Sequence, residues 1–446
     1  MPQPERVATT LPPSVPAALA AELAAVDADL ARRYPGDPGT RQPVHTVYVP
    51  ADRYAPDTPR AWGDEALALL DRHAPGAAAF AAVLGLPDHL AAPVHERVRA
   101  KLVREPVEDL RIDFEDGYGH RPDAEEDADA ARAARLLARA VADGSAPPYA
   151  GIRLKSMEAP VRDRGVRTLD IFLTTLLEAG PLPAGLCLTL PKTSYAEQAA
   201  AMAGLCTRFE EAAGLPAGRL RFEIQIETTQ AVLGADGRAT VARMIDAAGG
   251  RVTGLHYGTF DYSAACQVSA AHQSADHPAA DHAKAVMQAA AAGTGVRLSD
   301  GSTNVLPVGP TDRVHHAWRL HHDLVRRALA RAYHQGWDMH PGHLPTRYAA
   351  VYAFYREGLP DAAARLAAWA GGADGSGGVL DEPATARALS GFLLRGLDCG
   401  ALDTAEVTAA SGLDRTHLHA LAGRASRTSP PPDWTTQGTT DQASWS

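Results

Sequence analysis

The stretch Glu108–Ala140, EDLRIDFEDGYGHRPDAEEDADAARAARLLARA, carries the reading of the fold. It opens with a short apolar run, LRIDF, in which Leu110, Ile112 and Phe114 alternate with charged residues. A glycine-rich turn follows, then a long Ala/Leu/Arg segment. Alternation predicts a strand, the glycines a turn, and the Ala/Leu/Arg periodicity a helix. At the end of the strand Asp113, Glu115 and Asp116 crowd into four positions. Like charges so close need a cation, a proton or open water to be tolerated.

The same strand–turn–helix unit recurs outward from this point. Further runs are HTVYVP from His45, AGIRLK from Ala150, LCLTLPK from Leu186, LRFEIQIE from Leu220, VTGLHYGTF from Val252, TNVLPVG from Thr303 and GWDMHP from Gly336. With LRIDF that makes eight candidate strands, those in the middle of the chain recurring about every 32–40 residues. Strands alternating with long helices predict parallel pairing. Eight such units in about 300 residues fit an α/β fold of the (β/α)8 TIM-barrel type. An open doubly wound sheet is the second choice, and no GxGxxG or GxxxxGK[ST] follows any strand to support it.

The expected organisation has four parts: an N-terminal extension and helix over 1–40, the barrel over 41–360, a C-terminal helical segment over 361–424 and a disordered tail over 425–446. The glycine-rich run Gly371–Gly378 reads as a linker, and Thr404, with Glu406 behind it, as the N-cap of a helix in the C-terminal appendage. The tail is rich in Pro, Ser and Thr.

Composition narrows the function classes. The 446 residues are 46% hydrophobic, with a formal net charge of −10 and a pI near 6.0. Basic residues are scattered, so nucleic acid is not an expected partner. Cys187, Cys206, Cys266 and Cys399 form no CxxC pair, which argues against zinc or a disulfide framework and suits a reducing cytoplasm. No apolar run reaches the roughly 20 residues of a membrane helix, and the N-terminus has no apolar signal core. A cytoplasmic protein without membrane partners is expected.

In a barrel of this kind the active site forms at the C-terminal ends of the strands. The polar residues gathered there are Asp52 and Arg53; Asp113, Glu115 and Asp116; Arg153 and Lys155; Lys192; Glu223 and Glu227; His256 and Asp261; Asp338 and His340. Any one of them could be a solvated loop residue or an ion-pair partner; the whole set on one face points to chemistry. Glu227 and Asp261, at neighbouring strand ends, offer two hard oxygens suited to Mg²⁺. Glu223 shares a face with Glu227 but sits deeper, as a barrel-layer ion pair would. Arg153 supplies a fixed planar cation for an enolate or carboxylate oxygen. Lys155 and Lys192 raise a Schiff-base alternative, but among so many acids both are expected to stay charged as ion-pair partners.

Taken together, VYVPADR (from Val47), DFEDG (Asp113), GIRLK (Gly151), LTLPK (Leu188), FEIQIET (Phe222), GTFDYS (Gly258) and WDMHPGHL (Trp337) resemble, in order and spacing, the citrate lyase β-subunit/HpcH–HpaI aldolase family. That family belongs to the phosphoenolpyruvate/pyruvate-type barrels, and malate synthase is similar. The resemblance covers roughly residues 45–345. It implies Mg²⁺ held by Glu227 and Asp261, Arg153 as oxyanion holder, and Glu115, Asp116, Lys192 and His340 binding substrate or surrounding the metal. It also implies that Asp381, in GGVLDEPATARAL, acts as general base from a neighbouring subunit; capping the helix near Pro383 is the other role open to it. Two departures bear on the substrate. The C-terminal segment exceeds that of a typical citrate lyase β-subunit, and no basic cluster stands out to hold the phosphates of coenzyme A.

The expectation is a homo-oligomeric Mg²⁺-dependent carbon–carbon lyase, acting through the enolate of a 2-oxo acid or acyl-CoA-type substrate. A malate synthase-like Claisen condensation and a non-catalytic ligand-binding barrel are the alternatives. Phosphoryl transfer in the same superfamily would need a phosphate-binding glycine loop or a mobile catalytic histidine, for which His256 is the sole weak choice.

Overall fold

The computed structural model describes residues 10–371 and 382–424. Eight parallel strands run β1 (His45–Pro50), β2 (Asp109–Asp113), β3 (Tyr149–Arg153), β4 (Leu186–Leu190), β5 (Phe222–Ile226), β6 (Val252–Tyr257), β7 (Arg297–Ser299) and β8 (Gly336–Asp338). Their order is β7-β6-β5-β4-β3-β2-β1-β8. A parallel bridge from Ser299 to Gln335 nearly closes the ring, and the Asp300 amide donates to the Gln335 carbonyl at 2.8 Å. Helices follow the strands around the outside, giving the α/β barrel.

The seventh strand is not where the sequence pattern put it. The run from Thr303 is a loop, and the strand is the three-residue segment Arg297–Ser299. The apolar spacing of the loop comes from Val305, Leu306 and Val308, and Pro307 among them lacks the N–H a ladder needs. Three residues are too few to show a period.

Alternation divides each strand between two environments. Val47, Val49, Leu110, Ile112, Ile152, Leu188, Leu190, Ile224 and Leu255 are buried in one apolar core with helix residues such as Ala133, Leu137, Leu169 and Phe172. The other face lines the barrel, and it is polar. Arg111 donates to Glu223 through Nε at 3.0 Å and Nη2 at 2.9 Å, and also pairs with Asp109. Thr46 donates to Asp109 at 2.8 Å, and Thr189 to Glu223 at 2.5 Å. His256 Nε2 lies 2.8 Å from Glu223. Glu223 is thus an ion-pair partner within the barrel. The charges are tolerable at this depth because each has opposite charge and hydrogen bonds around it.

The chain divides into two compact units. The first, residues 1–36 and 42–354, holds the barrel. Its N-terminal helix, Val15–Arg33, has no buried residue. The second, residues 37–41 and 355–446, contains the helices Pro383–Asp398, Thr404–Ser411 and Arg415–Ala422. Within it Phe392 packs on Tyr355 at 4.9 Å between ring centroids, and Arg424 donates to Asp37 at 2.9 Å. The cap of Thr404–Ser411 is Asp403, one residue before the expected Thr404, in a reciprocal pair with Glu406. Glu382 stands at the N-cap position of the helix Pro383–Asp398 without a side-chain cap hydrogen bond. Asp381 and most of the expected linker lie outside the described residues. Among the described residues no single helix is long and apolar enough to cross a membrane.

Candidate active site

The C-terminal end of β3 sets the site. Arg153 is the last residue of that strand, on the barrel-lining face, and is fully buried. Its Nε and Nη2 donate to the two oxygens of Asp113 at 2.6 and 2.7 Å. Asp113 ends the adjacent β2 in register with Arg153. The Asp113 carboxylate also accepts from the backbone amides of Glu115 at 3.0 Å and Gly117 at 2.9 Å. This closes the DFEDG turn around the carboxylate, and Gly117 is needed there: an added Cβ would stand 2.6 Å from Asp113 Oδ2. The remaining edge of the guanidinium, Nη1, faces Glu115 at 3.3 Å and Gln225 at 3.4 Å. Tyr48 and Trp337 stack against it, 4.8 and 5.5 Å from their ring centroids.

Lys192, two residues past β4, holds the other acids. Its ammonium pairs with Glu115, with Asp116 at 2.8 Å and with Asp261 at 3.4 Å. Burial alone would lower this ammonium, but Glu227, Glu115 and Asp116 outweigh it and hold it above the ordinary lysine range. A protonated lysine is no Schiff-base nucleophile. Lys155 is likewise engaged, with Glu126 and the Phe114 carbonyl, each at 2.7 Å. Asp113, Glu115 and Asp116 are therefore faced by Arg153 and Lys192 directly.

Lys192 has a left-handed backbone, φ 47°, unusual for a residue with a side chain. In that conformation its amide donates to Glu227 Oε1 at 2.6 Å. Glu227 lies just beyond β5, on the face of Glu223 and Gln225, and is buried. Burial pushes its carboxyl up to about 7, against the pull of Lys192 and Arg153 and with help from Glu115 and Asp261. Gly258 makes room for it, since a Cβ there would meet Glu227 Cβ at 2.4 Å and Oε2 at 2.7 Å. Asp261 does not end a strand; it sits in the first turn of the helix Thr259–Ala265 after β6, half exposed.

Asp113, Glu115, Asp116, Glu227 and Asp261 thus share two cations, Arg153 and Lys192. The group has an excess of negative charge and only hard oxygen acceptors. That donor set suits a small divalent cation such as Mg²⁺, which Glu227 and Asp261 could hold. A second set able to ligate a metal, His321, Asp338 and His343, lies on the helix-facing side of β8. There Asp338 accepts from Arg347 Nη2 at 2.7 Å, and His45 Nδ1 and His321 Nε2 lie 2.9 and 3.0 Å from it. A metal at that point would compete with a fixed guanidinium.

The remaining expected residue, His340, stands apart from the acids. Its Nδ1 accepts from the Gly342 amide at 2.9 Å, its Nε2 is 3.8 Å from Glu65, and burial draws its imidazole down. Sequence reasoning missed the Asp113–Arg153 clamp, the aromatic pair on Arg153 and the role of Gly258. The first was within reach, because alternation places residues 113 and 153 on the lining face of adjacent strands.

The comparisons with solved structures bear on the fold. A citrate lyase from Burkholderia xenovorans LB400 superposes with a TM-score of 0.55 at 19% identity, over 83% of this chain and 96% of that one. Haloferax volcanii malate synthase is also similar. Its lead(II) complex gives a TM-score of 0.46 at 14% identity, over 69% of this chain and 72% of that one. Its magnesium/glyoxylate complex gives 0.46 at 13%, over 69% and 75%. No curated protein shows a significant match to the sequence. A family model covers residues 23–426, nearly the whole chain, and by it the protein belongs to the family described as Domain of unknown function (DUF6986).

Proposed function

We propose that the chain is a Mg²⁺-dependent carbon–carbon lyase acting through the enolate of a 2-oxo acid or an acyl-CoA-type substrate. The observation that carries this reading is the cluster at the C-terminal mouth, where five carboxylates, Glu227 buried among them, face two fixed cations. The likeness to a citrate lyase fold is in keeping with it. When bound, the metal supplies Lewis acidity toward the carbonyl and carboxylate oxygens of the substrate.

The chain's own residues account for the rest. Glu227 and Asp261 would hold the ion. Arg153 is locked by Asp113 on one edge, and its Nη1, shared with Glu115 and Gln225, would also serve an oxygen that gains charge as the enolate forms. Because the guanidinium is already fixed, little reorganisation is needed during reaction. Lys192 balances Glu115 and Asp116 and holds Glu227 in place through its strained backbone. Asp381, lent by a neighbouring subunit, is the proposed general base.

The test is proton exchange in D₂O with the purified chain and Mg²⁺, followed by NMR on pyruvate, oxaloacetate and acetyl-CoA. Metal-dependent exchange into one of them, lost in Glu227→Gln, is expected. Absence of exchange into all three, with or without Mg²⁺, would sink the reading.

A further inference from the structure

We infer that Glu126, Asp129 and Arg132, in the N-terminal half of the helix Asp123–Ala142, are positioning residues that hold three loops of the mouth in place for the chemistry. The inference rests on the enolate reading above for that chemistry, and the hold on the loops is tested apart from activity.

The three residues follow one another at intervals of three, so their side chains are neighbours on the helix surface. Each serves a different part of the mouth. Glu126 Oε2 accepts from the ammonium of Lys155, two residues past β3, at 2.7 Å, and Thr168 donates to the other oxygen at 2.6 Å. The same ammonium donates to the Phe114 carbonyl, in the DFEDG turn past β2, at 2.7 Å. Asp129 Oδ2 accepts from the Tyr118 hydroxyl, at the far end of that turn, at 2.8 Å. Arg132 donates to the Ala51 carbonyl through Nη2 at 2.5 Å and to the Tyr54 carbonyl through Nη1 at 3.4 Å, both in the loop past β1. Arg132 also bonds to Asp129 at 3.0 Å, which joins two of these contacts.

The loops so held carry the site. Phe114 lies between Asp113, which locks Arg153, and Glu115, which faces Arg153 and Lys192. Its amide donates to the Arg153 carbonyl at 2.9 Å, and its carbonyl is taken by Lys155. The backbone between the two acids is therefore pinned on both sides to the segment that bears Arg153. The Ala51 amide donates to the Asp113 carbonyl at 2.9 Å, so Arg132 bears on the same turn from the β1 side. Lys155 and Glu126 are buried, their side chains 7% and 1% exposed. A buried ion pair is weak evidence of stabilisation, since apolar groups of the same volume often serve as well. What apolar groups lack is a donor for the Phe114 carbonyl, and with it a fixed direction for the peptide between Asp113 and Glu115.

The experiment follows amide deuterium uptake of the full chain by mass spectrometry, on fragments covering 51–54, 114–119 and the strands β4 and β5. Deuterium exchange into pyruvate with Mg²⁺ is measured alongside. In Lys155→Met the 114–119 fragment should exchange about tenfold faster, with a much smaller change in β4 and β5. The same is expected of the 51–54 fragment in Arg132→Gln, whose side chain is 39% exposed, so this variant should fold even if Lys155→Met does not. In each, kcat for exchange into pyruvate should fall about tenfold with KM within about twofold, because neither side chain lies among the acids and cations of the site. Equal acceleration of loops and strands, or none, in both variants would make these contacts ordinary stabilising ones and overturn the inference. Local acceleration that leaves kcat unchanged would overturn it too. Absence of exchange into pyruvate by the wild-type chain counts against the enolate reading alone, and the amide rates then decide whether the helix holds the loops.

Discussion

At the scale of single residues, the site depends on groups held in states water would not favour. Glu227 is the extreme case, its carboxyl pushed up to about 7 by burial from an ordinary 4.5. Between those values the folded chain keeps a proton that the unfolded chain releases. Stability from this group therefore falls as pH rises from about 4.5 to 7. On the proposed reading Mg²⁺ takes the ionised form, so it should stabilise the fold by about 2.7 kcal/mol at a hundred times its Kd at pH 8, and by less at the same concentration at pH 5. Calorimetry with and without EDTA checks this, and Glu227→Gln should abolish both the activity and the pH-dependent metal effect. Arg153→Lys keeps the charge but cannot span both oxygens of Asp113. It should cost about 1–3 kcal/mol in stability and about 10²–10³ in kcat, read by urea unfolding and steady-state kinetics. Gly258→Ala places a methyl 2.4 Å from Glu227 Cβ. A displaced Glu227 should lower kcat by about 10² while the circular dichroism spectrum stays unchanged.

At the scale of elements, the strands keep their apolar side for the helices and fill the barrel with ion pairs. Arg111 is the hub, since it joins Asp109 of β2 to Glu223 of β5. Arg111→Met removes the cation and leaves two buried carboxylates. The expected loss is about 3–5 kcal/mol, measured as a lower urea midpoint at pH 7 and partly recovered on adding Glu223→Gln. The sequence marked seven of the eight strands, six by alternation or an apolar run and β8, itself only three residues long, by the motif WDMHPGHL. β7 escaped because it has three residues and a more apolar loop follows it. The helix Thr259–Ala265 escaped for a related reason: it is short and directly continues a strand, so Asp261 read as a strand end.

At the scale of the whole molecule, the reading of Asp381 leads to a prediction about assembly. If a neighbouring chain supplies the general base, Asp381→Asn and Arg153→Ala are each inactive, yet mixed oligomers of the two should recover up to about a quarter of wild-type activity. Subunit exchange is verified by mass spectrometry. No recovery despite exchange would mean that Asp381 acts in its own chain or merely caps its helix. The barrel itself was legible because its signal is repetition: strand, turn and helix recur often enough that one misplaced strand does not alter the architecture. The acids of the mouth were legible as residue types at or just past strand ends. What composition and spacing determined, then, is the α/β barrel, its polar C-terminal mouth and the cast of acids and cations there. Which acid meets which cation was left to the tertiary structure. Arg153 takes Asp113 rather than standing free, Lys192 gathers acids from three different segments through its ammonium and its amide, and Gly258 clears the space that Glu227 fills. Those pairings depend on register, shear and backbone conformation across strands far apart in sequence. No local pattern encodes them, because each becomes favourable only once burial has removed water as the competing partner.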